Sequence, residues 1–99
     1  MHTRIGTFDA PPDRLNDLIA LFEERIFEEF AQLEGFLGYQ AFVDREKGRF
    51  VGISFWNTSS ALEASGETAR QARREAASLG AIPVGEPQLM EQAFEARLL

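Results

Sequence analysis

Two neighbouring segments, Phe36 to Val43 and Arg49 to Asn57, are rich in β-forming residues and are joined by Asp44-Arg45-Glu46-Lys47-Gly48, a polar turn containing glycine. That pattern predicts an antiparallel hairpin. Successive side chains of a strand point to opposite faces, so a sheet with one wet face alternates apolar and polar residues. Here both faces are apolar. Val51, Ile53 and Phe55 oppose Phe50 and Trp56 in the second strand, while Leu37, Tyr39, Ala41 and Val43 oppose Phe36 and Phe42 in the first. Any fold open to this chain must cover both sides of the hairpin.

One side can be covered from within. From Asp13 to Leu33 the residues Leu15, Leu18, Ile19, Phe22, Ile26, Phe30 and Leu33 recur at three- and four-residue steps, which predicts an amphipathic helix with one apolar stripe. Its other face carries Glu23, Glu24, Arg25, Glu28 and Glu29, a solvated face rather than a metal set, and Gly35 is a suitable left-handed cap. A short strand, Thr3 to Phe8, precedes it and stops at Asp9-Ala10-Pro11-Pro12, where proline fits a first helical turn. After the hairpin, Thr58, Ser59 and Ser60 offer helix caps, and Ser60 with Glu63 fits a capping box. The Ala-rich helix that follows ends near Leu79 and Gly80, with Gly66 placed to break or bend it. Ala81 to Pro87 reads as a linker, and Gln88 to Leu98 fits a strand or a helix equally well.

The order strand, helix, strand, strand, helix and a last segment predicts a two-layer α+β domain spanning residues 1–99. Two helices cover only one face of such a sheet. Leaving the other in water costs roughly 25 cal/mol per Å² of apolar surface, and monomers seldom leave large patches bare. A second copy packing sheet on sheet is the simplest cover; the alternative is that Gln88 to Leu98 forms a third helix across the open face.

Composition narrows the partners. A net charge of −6 argues against nucleic acid, whose phosphates are held by clustered Lys and Arg, and against a membrane surface. With no Cys the chain has neither thiolate chemistry nor Cys-ligated metal, and with no apolar run suited to export or spanning, a cytoplasmic location is expected. A 44% apolar share with nine Phe suffices for one core.

The run Leu33-Glu34-Gly35-Phe36-Leu37-Gly38-Tyr39, the turn before Gly48-Arg49, and Ile53-Ser54-Phe55-Trp56 followed by a Thr/Ser cap resemble the dimeric α+β barrel superfamily. Within it the chain is most similar to the antibiotic biosynthesis monooxygenase group. The resemblance implies a ferredoxin-like βαββαβ unit with a four-stranded antiparallel sheet, a homodimer made by packing two sheets, a strand at the carboxy end, and a cavity between sheet and helices. Members include cofactor-independent oxygenases acting on phenolic or quinol polyketides, and haem-degrading enzymes that use a His on the second helix.

Candidate ligand-binding residues follow from chemistry and position. Trp56 offers a broad apolar face and one N–H donor, although a Trp at a strand end more often belongs to a core or an interface. Asn57 can polarise a substrate oxygen or simply form a turn. Phe50, Gly52 and Ser54 share the Trp56 face, where the small residues leave room for a ligand or for a close helix; Tyr39 is a possible hydroxyl donor. Arg70, Arg73 and Arg74 can hold an anion, but beside Glu67 and Glu75 they read first as solvated or intersubunit pairs. No nucleophile–base set or phosphate loop is present, so catalytic residues are not assigned and no cofactor or metal is expected. The expected function is a homodimeric module binding a small apolar or aromatic molecule between sheet and helices, with cofactor-independent oxygenation of a phenol or quinol as the alternative. Because Ser59 to Leu79 contains no His and the sole His is His2, haemin titration should give only weak, nonspecific spectral change; a sharp Soret shift at one equivalent, lost in His2→Ala, would reverse that expectation.

Overall fold

The computed structural model describes residues 1–98. Strand β1 spans His2–Asp9, and a 3-10 turn at Pro12–Arg14 leads into the first helical rod. The rod consists of α1 (Leu15–Ala20), a π-helical segment Leu21–Ile26, and α2 (Phe27–Ala31). The hairpin is β2 (Phe36–Asp44) and β3 (Arg49–Trp56). Helices α3 (Ser59–Ala64) and α4 (Gly66–Ser78) follow, then the short strands β4 (Ile82–Pro83) and β5 (Gln88–Glu91).

The π segment has a cause in the apolar spacing. Leu18, Phe22, Ile26 and Phe30 are all buried and lie four residues apart, which overruns the 3.6-residue α turn and would walk the stripe around the rod. A wider i→i+5 turn takes up the excess. Phe22, Ile26 and Phe30 therefore all stay over the sheet.

The sheet order is β2-β3-β1-β4, with β5 also paired to β1, and every pairing is antiparallel. This is the ferredoxin-like arrangement, with β4 and β5 sharing the free edge of β1 as one interrupted strand. Phe8 faces Pro83 and Ile5 faces Gln88, so residues 84–87 cover the stretch that Gly6 and Thr7 occupy on β1. The surplus loops outward, with Gly85 at φ +72°.

Several sequence expectations change. The linker before residue 88 contains β4, which the two prolines conceal. The last strand ends at Glu91 rather than Leu98, and among the described residues no third helix crosses the open face. The second-helix cap is Thr58, whose Oγ1 accepts the Ala61 N–H at 3.0 Å; Ser60 and Glu63 form no capping box. His2, though next to the amino terminus, pairs in register with both Trp56 and Glu91.

A bulge between Phe36 and Gly38 also corrects the faces of β2. Phe36 opposes Trp56 and Tyr39 opposes Ser54, so both lie on the helix side despite their odd spacing. The face of β3 opposite the helices carries Val51, Ile53 and Phe55, each half-buried, beside the exposed Phe42 and Met90. Apolar residues thus occupy both sides, as the pattern requires.

Trp56, Phe50, Leu15, Leu18 and Ile26 are the large side chains sealed in the core. Between the helices, Arg25 on the π segment reaches Glu75 on α4 at 3.2 Å. The Trp56 indole N–H donates to Ser54 Oγ at 2.9 Å in the interior. Trp56→Phe should keep the fold but leave that hydroxyl short of a partner, lowering stability by about 1–3 kcal/mol in urea unfolding.

Candidate functional site

On β3 the residues Phe50, Gly52, Ser54 and Trp56 alternate toward the helices, and the structure commits them differently. Trp56 is fully buried, with its ring edge-on to Phe30 at 5.6 Å and tilted against Phe36 at 5.2 Å. Phe50 sits 4.9 Å from Phe22 and is equally buried. Both belong to the core. Asn57 lies apart: its N–H donates to Gly35 O at 2.9 Å, and it borders a separate hollow of about 320 Å³ with Leu33, Thr58 and Ala61.

Tyr39 enters from β2 opposite Ser54. Its hydroxyl lies directly over Gly52, where any Cβ would collide with it. Glycine at 52 is therefore needed by a side chain of the same molecule, and the room that Gly52 leaves is filled by Tyr39. What remains is a small cavity of about 40 Å³ bounded by Tyr39, Gly52, Ser54, Gly6, Arg4 and Arg73. That volume suits a water molecule or two rather than an aromatic ring.

The larger space lies on the other side of Tyr39. A groove of about 440 Å³ runs between the π segment and β2, walled by Ile19, Phe22, Phe27, Tyr39, Ala41 and Val43, with Glu23 at its edge. This is within the size range of small-molecule sites. Phe22 and Tyr39 border both spaces and are stacked, with centroids 5.7 Å apart and planes at 28°. They form a partition of two rings.

Of the sequence candidates, Tyr39 and Ser54 meet at the cavity, Phe50 and Trp56 support it from the core, and Asn57 is elsewhere. Phe22 and Phe27 emerge only from the structure as groove residues. Phe27 carried a signal, since it is a large apolar residue on the acidic side of the helix and remains 43% exposed. Among the described residues no group of three side chains able to bind a metal comes together, and no helix is long and apolar enough to cross a membrane.

The groove has the size and apolar walls for a flat apolar molecule, while the Tyr39 hydroxyl is turned to the small cavity over Gly52. Burial raises the Tyr39 pKa well above the ordinary phenol value of 10.0, and no neighbouring charge among the described residues opposes the shift. Tyr39 is the sole tyrosine, so absorbance near the tyrosinate band reports one group. The folded protein should show no ionisation as pH passes 10.0, the value expected of the unfolded chain. Above that pH the unfolded state releases the proton and the folded state retains it, so stability should fall as pH rises. Ordinary titration near pH 10.0 with the fold intact would contradict the buried hydroxyl.

Comparison with known proteins places these features in a family. The antibiotic biosynthesis monooxygenase family model matches residues 1–75. Two uncharacterized proteins of Mycobacterium tuberculosis, MT2635 and Rv2558, are each 30% identical over 77 residues, covering 78% of this chain and 33% of theirs. The chain thus spans about a third of the length of these curated relatives. Among solved structures, a Deinococcus radiodurans protein named for the same family superposes with a TM-score of 0.70 at 21% identity, covering 100% of this chain and 98% of that one. The ActVA-Orf6 monooxygenase of Streptomyces coelicolor, solved with nanaomycin D, gives 0.68 at 19% identity over 99% and 90% of the two chains. SnoaB, a cofactor-independent oxygenase of Streptomyces nogalater, gives 0.65 at 19% identity over 95% and 94%. The match to the family model over residues 1–75 shows that this chain belongs to the antibiotic biosynthesis monooxygenase family.

Proposed function

We propose that the chain works as a homodimer, paired through the open sheet faces, and binds a small aromatic molecule between the first helical rod and the sheet. The observation that carries the ligand reading is the groove at the Phe22–Tyr39 partition: an apolar space of about 440 Å³ with stacked rings at its inner wall. Aromatic ligands gain offset or edge contacts on such walls beyond simple burial. The dimer reading rests on Val51, Ile53 and Phe55 together with exposed Phe42 and Met90, one apolar surface that no described element covers.

A second reading is cofactor-independent oxygenation of a phenol or quinol bound in the same groove. Family membership and the resemblance in fold to SnoaB favour it. In that chemistry the ionised substrate supplies electrons to dioxygen, and the protein contributes shape, desolvation and a few hydrogen bonds. The Tyr39 hydroxyl, protonated and turned over Gly52, would reach a substrate oxygen only if the Phe22–Tyr39 pair turned aside, and then as a donor, never as a base.

Light scattering after gel filtration should give twice the chain mass at micromolar concentration, and a monomer would remove the pairing. Ligand-observed NMR with phenols, hydroquinones and naphthoquinols should detect binding that Ala41→Trp abolishes by filling the groove from an exposed strand position. Oxygen-electrode assays on the compounds that bind then separate the readings: uptake supports oxygenation, and binding without uptake supports the module. Binding that survives Ala41→Trp would place the ligand elsewhere.

A further inference from the structure

The acidic chain contains one conspicuously basic recess. It measures about 180 Å³ and lies where β1, the start of α4 and the 84–87 loop meet, bounded by Arg4, Gly66, Arg70, Arg73, Glu86 and Leu89. It shares no residue with the aromatic groove. Arg4 and Arg73 also border the small cavity at Tyr39, so the recess adjoins the candidate site, but the inference does not require the groove to hold a ligand.

The three guanidinium groups are held in different ways. Arg4, which projects from β1, donates from Nη1 to Ser65 Oγ at 2.8 Å and from Nη2 to Leu62 O at 3.0 Å. These bonds tie it to the α3–α4 junction while leaving N–H groups unused, since a guanidinium carries five. Arg70 is paired with Glu67 at 2.6 Å. Arg4 and Arg73 have no carboxylate within ion-pairing distance among the described residues. Burial, then the neighbouring arginines, lowers the pKa of both; for Arg4 these are Arg73 and then Arg70, and for Arg73 they are Arg70 and then Arg74, with Glu86 opposing. Like charges are being held together, and the chain's net charge of −6 makes the clustering harder to attribute to chance composition.

Two further features suit an anion. The thirteen-residue α4 begins at Gly66, so the positive end of its dipole opens on the recess. Gly66 has no side chain to fill the space; a Cβ there would meet only Arg70 Nη1, at 3.9 Å. The carboxylate of Glu86, on the outward loop, is felt by Arg73 without pairing to it. It stands where a competing internal anion would stand.

We infer that this recess binds the oxyanion group of a small molecule, a carboxylate or a phosphoryl group, between Arg4 and Arg73, with Arg70 and the α4 amino terminus adding charge and Leu89 offering an apolar wall. Glu86 weakens that binding by occupying the same field.

Calorimetric titration of the folded protein at low ionic strength, with sodium phosphate and separately with sodium benzoate, tests the assignment. One or both probes should bind saturably at one site per chain, and which of them binds identifies the group recognised. Arg73→Gln should weaken the binding about tenfold, as loss of a charged hydrogen-bonding partner does. Glu86→Gln should strengthen it several-fold, an effect that a purely structural role for the cluster would not produce. If Arg73→Gln fails to fold, as circular dichroism would show, the Glu86→Gln comparison alone decides. No saturable binding of either probe, or affinities unchanged by the substitutions, would overturn the inference.

Discussion

A continuous run of aromatic rings joins the first helical rod to the sheet, and the other features depend on it. Phe8 touches Phe22 and Phe50; Phe22 stacks on Tyr39; Tyr39 meets Phe30; Phe30 and Phe36 close on Trp56. The contacts come from β1, the rod and both hairpin strands, so four segments are fixed by one connected set. Tilted and edge-on pairs each add about 0.5–1.5 kcal/mol beyond area burial. The π segment and the β2 bulge are the backbone adjustments that keep the set intact, one by retaining the helix stripe and the other by bringing Phe36 and Tyr39 to the same side.

That same set decides where a ligand can go. In this chain Tyr39 crosses over Gly52 and takes up the space above it, which leaves the larger accessible volume on the outer side of the Phe22–Tyr39 pair. The indole keeps its only donor for Ser54. A molecule passing from the groove to the small cavity would have to turn one or both partition rings aside. The groove wall and the core packing therefore share two side chains, Phe22 and Tyr39.

The sequence made the architecture readable because periodicity is a property of many residues at once. The amphipathic stripe, the hairpin turn and the apolar residues on both strand faces all point to one fold, with Gly66 marking the helix break that separates α3 from α4. Features that depend on one or two residues were harder to read. The bulge at Phe36 and Gly38 defeats alternation, and β4 includes a proline that sequence reasoning assigns to a linker. Trp56 shows the same limit at the site: an indole at a strand end more often belongs to a core or an interface but also suits a ligand wall, and the Ser54 bond and complete burial tell them apart. The Arg4 contribution to the basic recess was invisible, because Arg4 lies sixty-odd residues from Arg70 and Arg73 and meets them only when β1 packs against α4.

The bulge has a further effect on how copies of the chain can meet. β2 is the outer strand of the sheet on that side, and an outer strand exposes unpaired backbone groups on which another chain can continue the ladder. A doubled residue at Phe36 and Gly38 twists the strand locally and breaks the even spacing of those groups. An incoming straight strand would find matching partners only along the part beyond the bulge. The irregularity that orients Tyr39 toward the core thus also shortens the template for open-ended strand addition, leaving the broad apolar face as the surface with more to gain from contact.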